Sequence, residues 1–98
     1  MQQNIIPSHA GTLESSDLFV RILPKKEGGV SIELESSVCE IYADAIKKTV
    51  LECANAFGAD GMSIIVQDKG ALDYVIKARV QTALLRAFGM NELDWSVL

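Results

Sequence analysis

Val30-Ser31-Ile32-Glu33-Leu34-Glu35 is the stretch on which the fold depends most directly. Its apolar side chains alternate with polar ones, the pattern of a strand that buries one face of its sheet and leaves the other in water. An earlier run, residues 18–23, is rich in branched and aromatic side chains, and residues 24–29 between the two runs form a Pro, Lys and Gly turn cluster. This arrangement predicts two strands joined as a hairpin.

A long amphipathic helix is predicted to follow the second strand, from about Ser37 to Phe57. Ser37 and Glu40 have the spacing of a capping box, in which each side chain satisfies an exposed backbone donor of the other residue. Gly58 and Gly61 should end the helix, because glycine readily adopts the left-handed conformation found there. The apolar residues recur every three or four positions and share one face, namely Cys39, Tyr42, Ile46, Val50, Cys53 and Phe57.

Residues 62–67 form a short apolar run that predicts a buried strand. Because a helix separates this strand from residues 30–35, the two strands are expected to be parallel and joined by a right-handed crossover. Asp68 is expected to cap a second helix over residues 70–88, which Gly89 ends. The inward face of that helix comprises Leu72, Ile76, Val80, Ala83, Leu84 and Ala87.

The element order, β-β-α-β-α, predicts a two-layer α+β fold with a small mixed sheet and both helices on one of its faces. At 98 residues the chain fits a single domain, residues 1–98. Residues 1–9 lack periodicity and are expected to form a flexible N-terminal arm. Residues 90–98 form a C-terminal tail, whose Trp95 either packs back over the sheet or inserts into a partner.

Composition and charge exclude several classes of protein. The chain has 9 basic and 13 acidic residues and a net charge of −4, which disfavours binding to nucleic acid. No run approaches the roughly 18 apolar residues of a membrane span, and residues 1–6 lack the basic start of a secretory signal, so the predicted location is the cytoplasm. Cys39 and Cys53 would lie about 21 Å apart on one helix, beyond disulfide reach, and are expected to be reduced core thiols.

Few side chains in this sequence could support catalysis by the chain alone. His9 is the only histidine, and a base in a flexible arm would be poorly positioned to serve a serine nucleophile. His9, Cys39 and Cys53 lack the spacing of a zinc site, so no metal site is predicted. Gly28 and Gly29 are not followed by a phosphate-binding helix motif and are interpreted as turn residues.

The second predicted helix carries several basic side chains. Lys69, Asp73 and Lys77 follow one another at four-residue spacing, which is typical of a solvated ladder of opposite charges. Arg79 and Arg86 are seven residues apart and therefore share a face. From that face they could contact phosphate groups or an acidic partner surface.

Ala10-Gly11-Thr12-Leu13-Glu14-Ser15-Ser16-Asp17 stands just before the first predicted strand. Serine and aspartate in such a place are usually turn or capping residues that bond to the local backbone. A serine on an exposed segment beside a rigid element is also a place where a bulky group can be attached without disturbing the core. The residues alone leave both interpretations open.

Together with Asp68-Lys69-Gly70-Ala71-Leu72-Asp73 and residues 77–87, this segment resembles the acyl carrier (gamma) subunit of citrate lyase, and the likeness runs over nearly the whole chain. In that family the first serine of a Glu-Ser-x-Asp motif carries 2'-(5''-phosphoribosyl)-3'-dephospho-CoA through a phosphodiester. The resemblance therefore implies Ser15 as the attachment site. Many relatives have glycine at the position of Ser16, so the adjacent hydroxyl is a departure from the family pattern.

The same resemblance implies a non-catalytic subunit of a lyase complex that serves citrate fermentation. The alpha (transferase) subunit would exchange acetyl for citryl on the arm and release acetate. The beta (lyase) subunit would then cleave citryl to oxaloacetate and regenerate the acetyl thioester. A holo-protein synthase would attach the group and an acetylating ligase would prime it, while Glu14 and Asp17 are expected to orient the loop or to be recognised by the attaching enzyme.

Two alternatives stand beside this interpretation. The acyl carrier subunit of malonate decarboxylase has a shorter Ser-Gly-Asp-Leu pattern and a similar prosthetic group, although the Gly-Thr-Leu-Glu sequence at residues 11–14 is more similar to citrate lyase. An unmodified interaction module would instead use Ser15 and Ser16 as simple turn residues.

Overall fold

The computed structural model describes residues 5–36 and 42–89, which form six elements along the chain. They are the strands β1 (Ser8–Gly11), β2 (Leu18–Pro24) and β3 (Val30–Ser36), the helix α1 (Ala43–Ala56), the strand β4 (Met62–Asp68) and the helix α2 (Asp73–Ala87). The predicted β-β-α-β-α order is present, with β1 added at its N-terminal end.

The four strands form one open mixed sheet in the order β1-β2-β4-β3. β2 is antiparallel to both β1 and β4, whereas β3 is parallel to β4. The parallel pairing across α1 is confirmed, but the predicted hairpin between β2 and β3 is wrong because β4 lies between them. In β4 the side chains of Met62, Ile64 and Val66 are almost fully buried. β2 and β4 are the two interior strands of the sheet, where apolar side chains are covered better than at an edge.

The connection between β2 and β3 explains why these strands do not pair with each other. Lys25 N donates to Gly61 O at 2.9 Å. Gly61 N and Met62 N both donate to Gly29 O, at 2.8 and 3.2 Å. The turn therefore bonds to the chain that enters β4, and this contact holds β2 and β3 apart.

β1 occupies part of the segment predicted to be a flexible arm. Ser8 and His9 pair with β2, and Ile5 is buried in the core at 7% exposure. Ser8 Oγ also donates to Ala83 O, and Arg86 Nη1 donates to His9 O, both at 2.8 Å. These contacts place residues 5–9 against the sheet and α2, so the predicted flexible arm is wrong for these residues. β1 was not predicted because a strand of four residues is too short to show alternation. Residues 1–4 and the predicted tail, residues 90–98, lie outside the described residues.

Both helices pack on one face of the sheet, which confirms the predicted two-layer α+β architecture. α1 lies over β3, α2 lies over β1 and β2, and the two helices contact each other. Neither described helix is long and apolar enough to cross a bilayer. The large, fully buried side chains of the core include Leu18, Val20, Ile22, Val50, Met62, Ile64, Val66, Val80 and Leu84.

α1 begins later than predicted, directly after Tyr42. The predicted capping pair, Ser37 and Glu40, lies outside the described residues. Tyr42 is 60% exposed instead of buried, because it precedes the first turn of the helix. The end of the helix is as predicted, with Gly58 in the left-handed region at φ +65°.

The inward face of α1 contains Ile46, Val50 and Cys53, all buried as predicted. Burial raises the pKa of the Cys53 thiol above its ordinary value, which favours the protonated form of a core thiol. Cys39, the second predicted core thiol, lies outside the described residues.

α2 begins at Asp73, and its N-cap is Leu72. The prediction that Asp68 caps this helix is therefore wrong. Asp68 instead ends β4, and its Oδ1 accepts a hydrogen bond from Ala71 N at 2.9 Å. Gly70, at φ +90°, turns the chain after β4, and Leu72 is the extended residue that directly precedes the helix. Leu72 is 59% exposed, whereas the other five predicted inward residues are buried.

Replacing Ile64 by alanine should lower the free energy of unfolding by about 2–5 kcal/mol, because the change leaves a cavity in the centre of the core. Ile65→Ala is the matched control, since Ile65 is the next residue on β4, faces the opposite side of the sheet and is only partly buried. Urea unfolding followed by circular dichroism measures both variants. Equal losses would contradict a core confined to one face of the sheet.

Candidate functional site

The segment that contains the candidate serine is the loop between β1 and β2. Gly11 and Phe19 are the last paired residues, so the loop comprises residues 12–17. Ser15 and Ser16 are both exposed at its tip. Asp17 N donates to Glu14 O at 3.2 Å, which closes a turn around the two serines.

Ser16 adopts a backbone conformation that is rare for a residue with a side chain, with φ at +66°. A left-handed conformation costs a non-glycine residue about 1–2 kcal/mol, because Cβ approaches the following carbonyl oxygen. Glycine would avoid this cost. The positive φ thus gives a physical reason why many relatives have glycine at this position, where this chain departs from the family pattern with Ser16.

One ion pair fixes the C-terminal end of the loop. Arg79 Nε donates to Asp17 Oδ1 at 3.0 Å, and Arg79 Nη2 donates to Asp17 Oδ2 at 2.8 Å. The same carboxylate accepts two further hydrogen bonds, one from Thr12 Oγ1 at 2.6 Å and one from Leu18 N at 2.7 Å. The hydrogen bonds from Arg79 are the largest of the effects that lower the pKa of Asp17, from 3.8 to about 2. The side chain of Asp17 is only 14% exposed, so the pair is well shielded on its acidic side.

Backbone hydrogen bonds attach the loop to the segment that follows β4. Ser16 N donates to Lys69 O at 2.8 Å, and Lys69 N donates to Asp17 O at 2.9 Å. These bonds continue the antiparallel pairing of β2 with β4, whose last pair is Leu18 with Asp68. The serine tip is therefore exposed while its base is held at the end of the sheet.

The start of the loop depends on the absence of a side chain at Gly11. A Cβ atom at this position would lie 1.8 Å from Leu18 O and 3.3 Å from Arg79 Cδ. The backbone of Gly11 also has φ at +94°. Only glycine fits here, so the loop can approach both β2 and the Arg79 side chain.

The two arginines predicted to share a face have separate roles inside the molecule. Arg79 binds Asp17, a residue 62 positions away, and Arg86 donates to His9 O. The predicted charge ladder is present as the Lys77–Asp73 pair at 3.3 Å, but Lys69 precedes the helix and bonds to the loop through its backbone. The Asp17–Arg79 pair was missed because no local spacing connects these residues.

The described part of the chain gives the site little catalytic chemistry of its own. Within residues 5–36 and 42–89, no group of three or more His, Cys, Asp or Glu side chains could hold a metal ion. His9 lies on β1, with its ring centroid 5.7 Å from that of Phe19. The arrangement presents an exposed hydroxyl on an anchored loop, which is suited to carrying an attached group.

The family profile of the malonate decarboxylase delta subunit, an acyl carrier protein family, matches residues 6–87. The chain is thus an acyl carrier protein, a carrier subunit that is not itself a catalyst. A chain in the crystal structure of a Pseudomonas malonate decarboxylase hetero-tetramer in complex with malonate has the same fold, with a TM-score of 0.70 over 87% of each chain and 23% identity.

Sequence relatives identify the particular family. The citrate lyase acyl carrier protein of Vibrio cholerae is 46% identical over 92 residues, which cover 94% of each chain. Citrate lyase acyl carrier protein 2 of Salmonella typhimurium is 46% identical over 89 residues, 91% of this chain and 92% of that one. The Klebsiella pneumoniae protein is 44% identical over 93 residues, 95% and 96% of the two chains. The chain belongs to the family of citrate lyase acyl carrier proteins.

Replacing Asp17 by asparagine should cost about 1–2 kcal/mol at neutral pH, after allowance for the 40% exposure of the Arg79 side chain. Because the pKa of Asp17 is lower in the folded protein, its stabilisation is complete above the ordinary pKa of 3.8 and is lost as the pH falls toward 2. The difference between wild type and variant should therefore shrink as the pH falls below 3.8 and be small at pH 2, where the carboxyl is about half protonated.

Urea unfolding of both proteins at a series of pH values measures this difference. Glu27→Gln, which changes an exposed acidic residue of the turn between β2 and β3, is the control and should alter stability little. A wild-type advantage over Asp17→Asn that stays constant down to pH 2 would contradict the assignment of the ion pair.

Replacing Ser16 by glycine should raise the free energy of unfolding by up to about 1 kcal/mol, because glycine adopts φ +66° without a Cβ penalty. Ser15→Gly is the matched control, since Ser15 does not have a positive φ, and it should leave stability unchanged or lower it. Thermal unfolding of the two variants compares them. A gain for the Ser15 variant alone would contradict this loop conformation.

Proposed function

We propose that this chain is the acyl carrier of citrate lyase and that Ser15 is the attachment site of 2'-(5''-phosphoribosyl)-3'-dephospho-CoA. The observation that carries the proposal is an exposed serine at the tip of a loop that one ion pair and two backbone hydrogen bonds hold at the end of the sheet. Similarity to citrate lyase acyl carrier proteins over almost the whole chain supports it.

The charges around the loop are compatible with a phosphodiester on Ser15. A carboxylate beside a phosphodiester would repel it unless the carboxylate were neutralised or turned away. Of the two acidic neighbours, Asp17 is bound by Arg79 in a two-point contact. Glu14 is exposed, so its charge is screened by water and salt. The loop can therefore hold an anionic linkage at its tip.

The attached group would supply a thiol that holds acyl groups as thioesters and so activates the carbon beside the carbonyl. The chain itself contributes the Oγ of Ser15 as the point of attachment. The bonds of Lys69 and Arg79 keep that point fixed relative to the sheet. Tethering in this way raises the local concentration of the acyl group at each partner active site.

The proposed partners are the alpha (transferase) and beta (lyase) subunits, which would supply the acids, bases and metal that convert citrate to acetate and oxaloacetate. A holo-protein synthase would modify Ser15, and an acetylating ligase would prime the thiol. We place the complex in the cytoplasm and treat residues 1–98 as one carrier domain. The outward position of the loop leaves the serine accessible to each of these enzymes.

The second candidate is the acyl carrier subunit of malonate decarboxylase. Two observations support this candidate: the malonate decarboxylase family profile matches residues 6–87, and the Pseudomonas malonate decarboxylase chain has the same fold. The partner subunits that co-purify with the chain, and turnover of citrate or of malonate by that assembly, distinguish the two candidates.

Ser15→Ala should fold normally but lack the prosthetic group and all activity of the complex, because the change removes the only atom through which the group is attached. Ser16→Ala is the matched control on the neighbouring exposed serine and should remain modified. The measurement is the intact mass of each protein from its native cells, followed by fragmentation of the peptide that contains both serines.

A mass increase equal to phosphoribosyl-dephospho-CoA, localised to Ser15, would support the proposal. Modification of the Ser15→Ala protein at Ser16 would refute the assignment to Ser15. An unmodified wild-type mass from native cells would favour an interaction module in which both serines are turn residues.

A further inference from the structure

A groove lies between the N-terminal ends of α1 and α2, beside the end of β4. Its volume is about 290 Å³, close to the lower limit for small-molecule pockets. Most of its walls are formed by the side chains of Tyr42, Ala45, Ile46, Thr49, Ala71 and Ile76. Attachment of a group to Ser15 does not by itself involve this groove.

The groove lies beside the serine loop, the loop of residues 12–17 that contains Ser15. Gly70 lines the groove and directly follows Lys69, whose carbonyl accepts the hydrogen bond from Ser16 N at 2.8 Å. The Cα atoms of Ser15 and Gly70 are connected through this hydrogen bond and a few covalent bonds of standard length. They are therefore at most about 10 Å apart. A flexible group attached to Ser15 would be long enough to reach the groove.

The lining of the groove favours one kind of ligand. The apolar walls suit methyl and methylene groups. Thr49 Oγ1 lies 3.2 Å from Asp73 Oδ1, so a hydroxyl and a carboxylate from different helices meet there and can accept hydrogen bonds from amide N–H groups. Two of the described residues that line the groove are acidic, Asp68 and Asp73, and none of them is basic, so the surface offers phosphate no positive charge. A neutral chain that contains amides fits this surface better than an anion does.

We propose that this groove holds the neutral, amide-containing pantetheine part of the group attached to Ser15 when the arm is not inside a partner active site. This inference rests on the proposed function. The phosphates stay outside, near the loop, and the two amides with their neighbouring methyl groups lie between α1 and α2. The groove thereby keeps the free thiol close to the carrier surface between turnovers.

The test compares the unmodified and modified proteins by two-dimensional NMR, with intact mass recorded on the same samples. The methyl signals of Ile46 and Ile76 should shift by more than their linewidth on modification, with nuclear Overhauser contacts to the geminal methyls of the arm. The methyl signals of Leu51, an exposed residue of α1 outside the groove, should stay unchanged.

Two variants in which alanine is replaced by phenylalanine provide a matched pair. Ala45→Phe fills the groove and should abolish these shifts and contacts without changing the modified mass. Ala78→Phe adds the same ring to an exposed position of α2 outside the groove and should leave them unchanged. Should Ala45→Phe fail to fold, the wild-type comparison decides the question alone.

A modified mass with shifts confined to residues 12–18 would overturn the groove assignment and leave the proposed function intact. An unmodified mass in protein from native cells would overturn the proposed function, and the groove assignment with it.

Discussion

The antiparallel pairing of β2 with β4 is the constraint on which the fold and the candidate site both depend. It places two apolar strands side by side in the centre of the sheet, where both helices can cover one face. The same ladder continues beyond its last strand pair through Lys69, which bonds to the backbone of Ser16 and Asp17. The core and the serine loop are therefore parts of one hydrogen-bonded structure, and the loop inherits its position from the burial of β4.

Much of this fold could be predicted from periodicity, and the rest depends on contacts that periodicity does not contain. Alternation predicted β3 and helical periodicity predicted both helices, because burial of one face leaves a regular trace in the sequence, while β2 and β4 were predicted from their apolar composition. The strand order could not be predicted, since a turn cluster signals a reversal of the chain but not the identity of the neighbouring strand. β1 was missed because Ser8–Gly11 is short and polar, and the start of α2 because the apolar Leu72 fits the helical pattern although its backbone is extended.

The candidate site shows the same division. Ser15 was predicted from a motif, which is a local signal. The support of the loop is non-local, because the Asp17–Arg79 pair spans 62 residues and the groove combines side chains from two helices and a strand end. The strained backbone of Ser16 is also invisible in composition. It shows that the loop shape is imposed by its anchors and not by the preference of the residue at its tip.

α2 contributes to two regions of the molecule at once. Asp73, in its first turn, lines the groove, and Arg79, about 9 Å further along the helix axis, holds the serine loop. A helix is stiff over such a short distance, so the first turn of α2 and the guanidinium of Arg79 keep a fixed separation. One wall of the groove and the ion pair that holds the serine loop are therefore positioned by the same helix. The spacing between the groove and the attachment point is thus set by one rigid element.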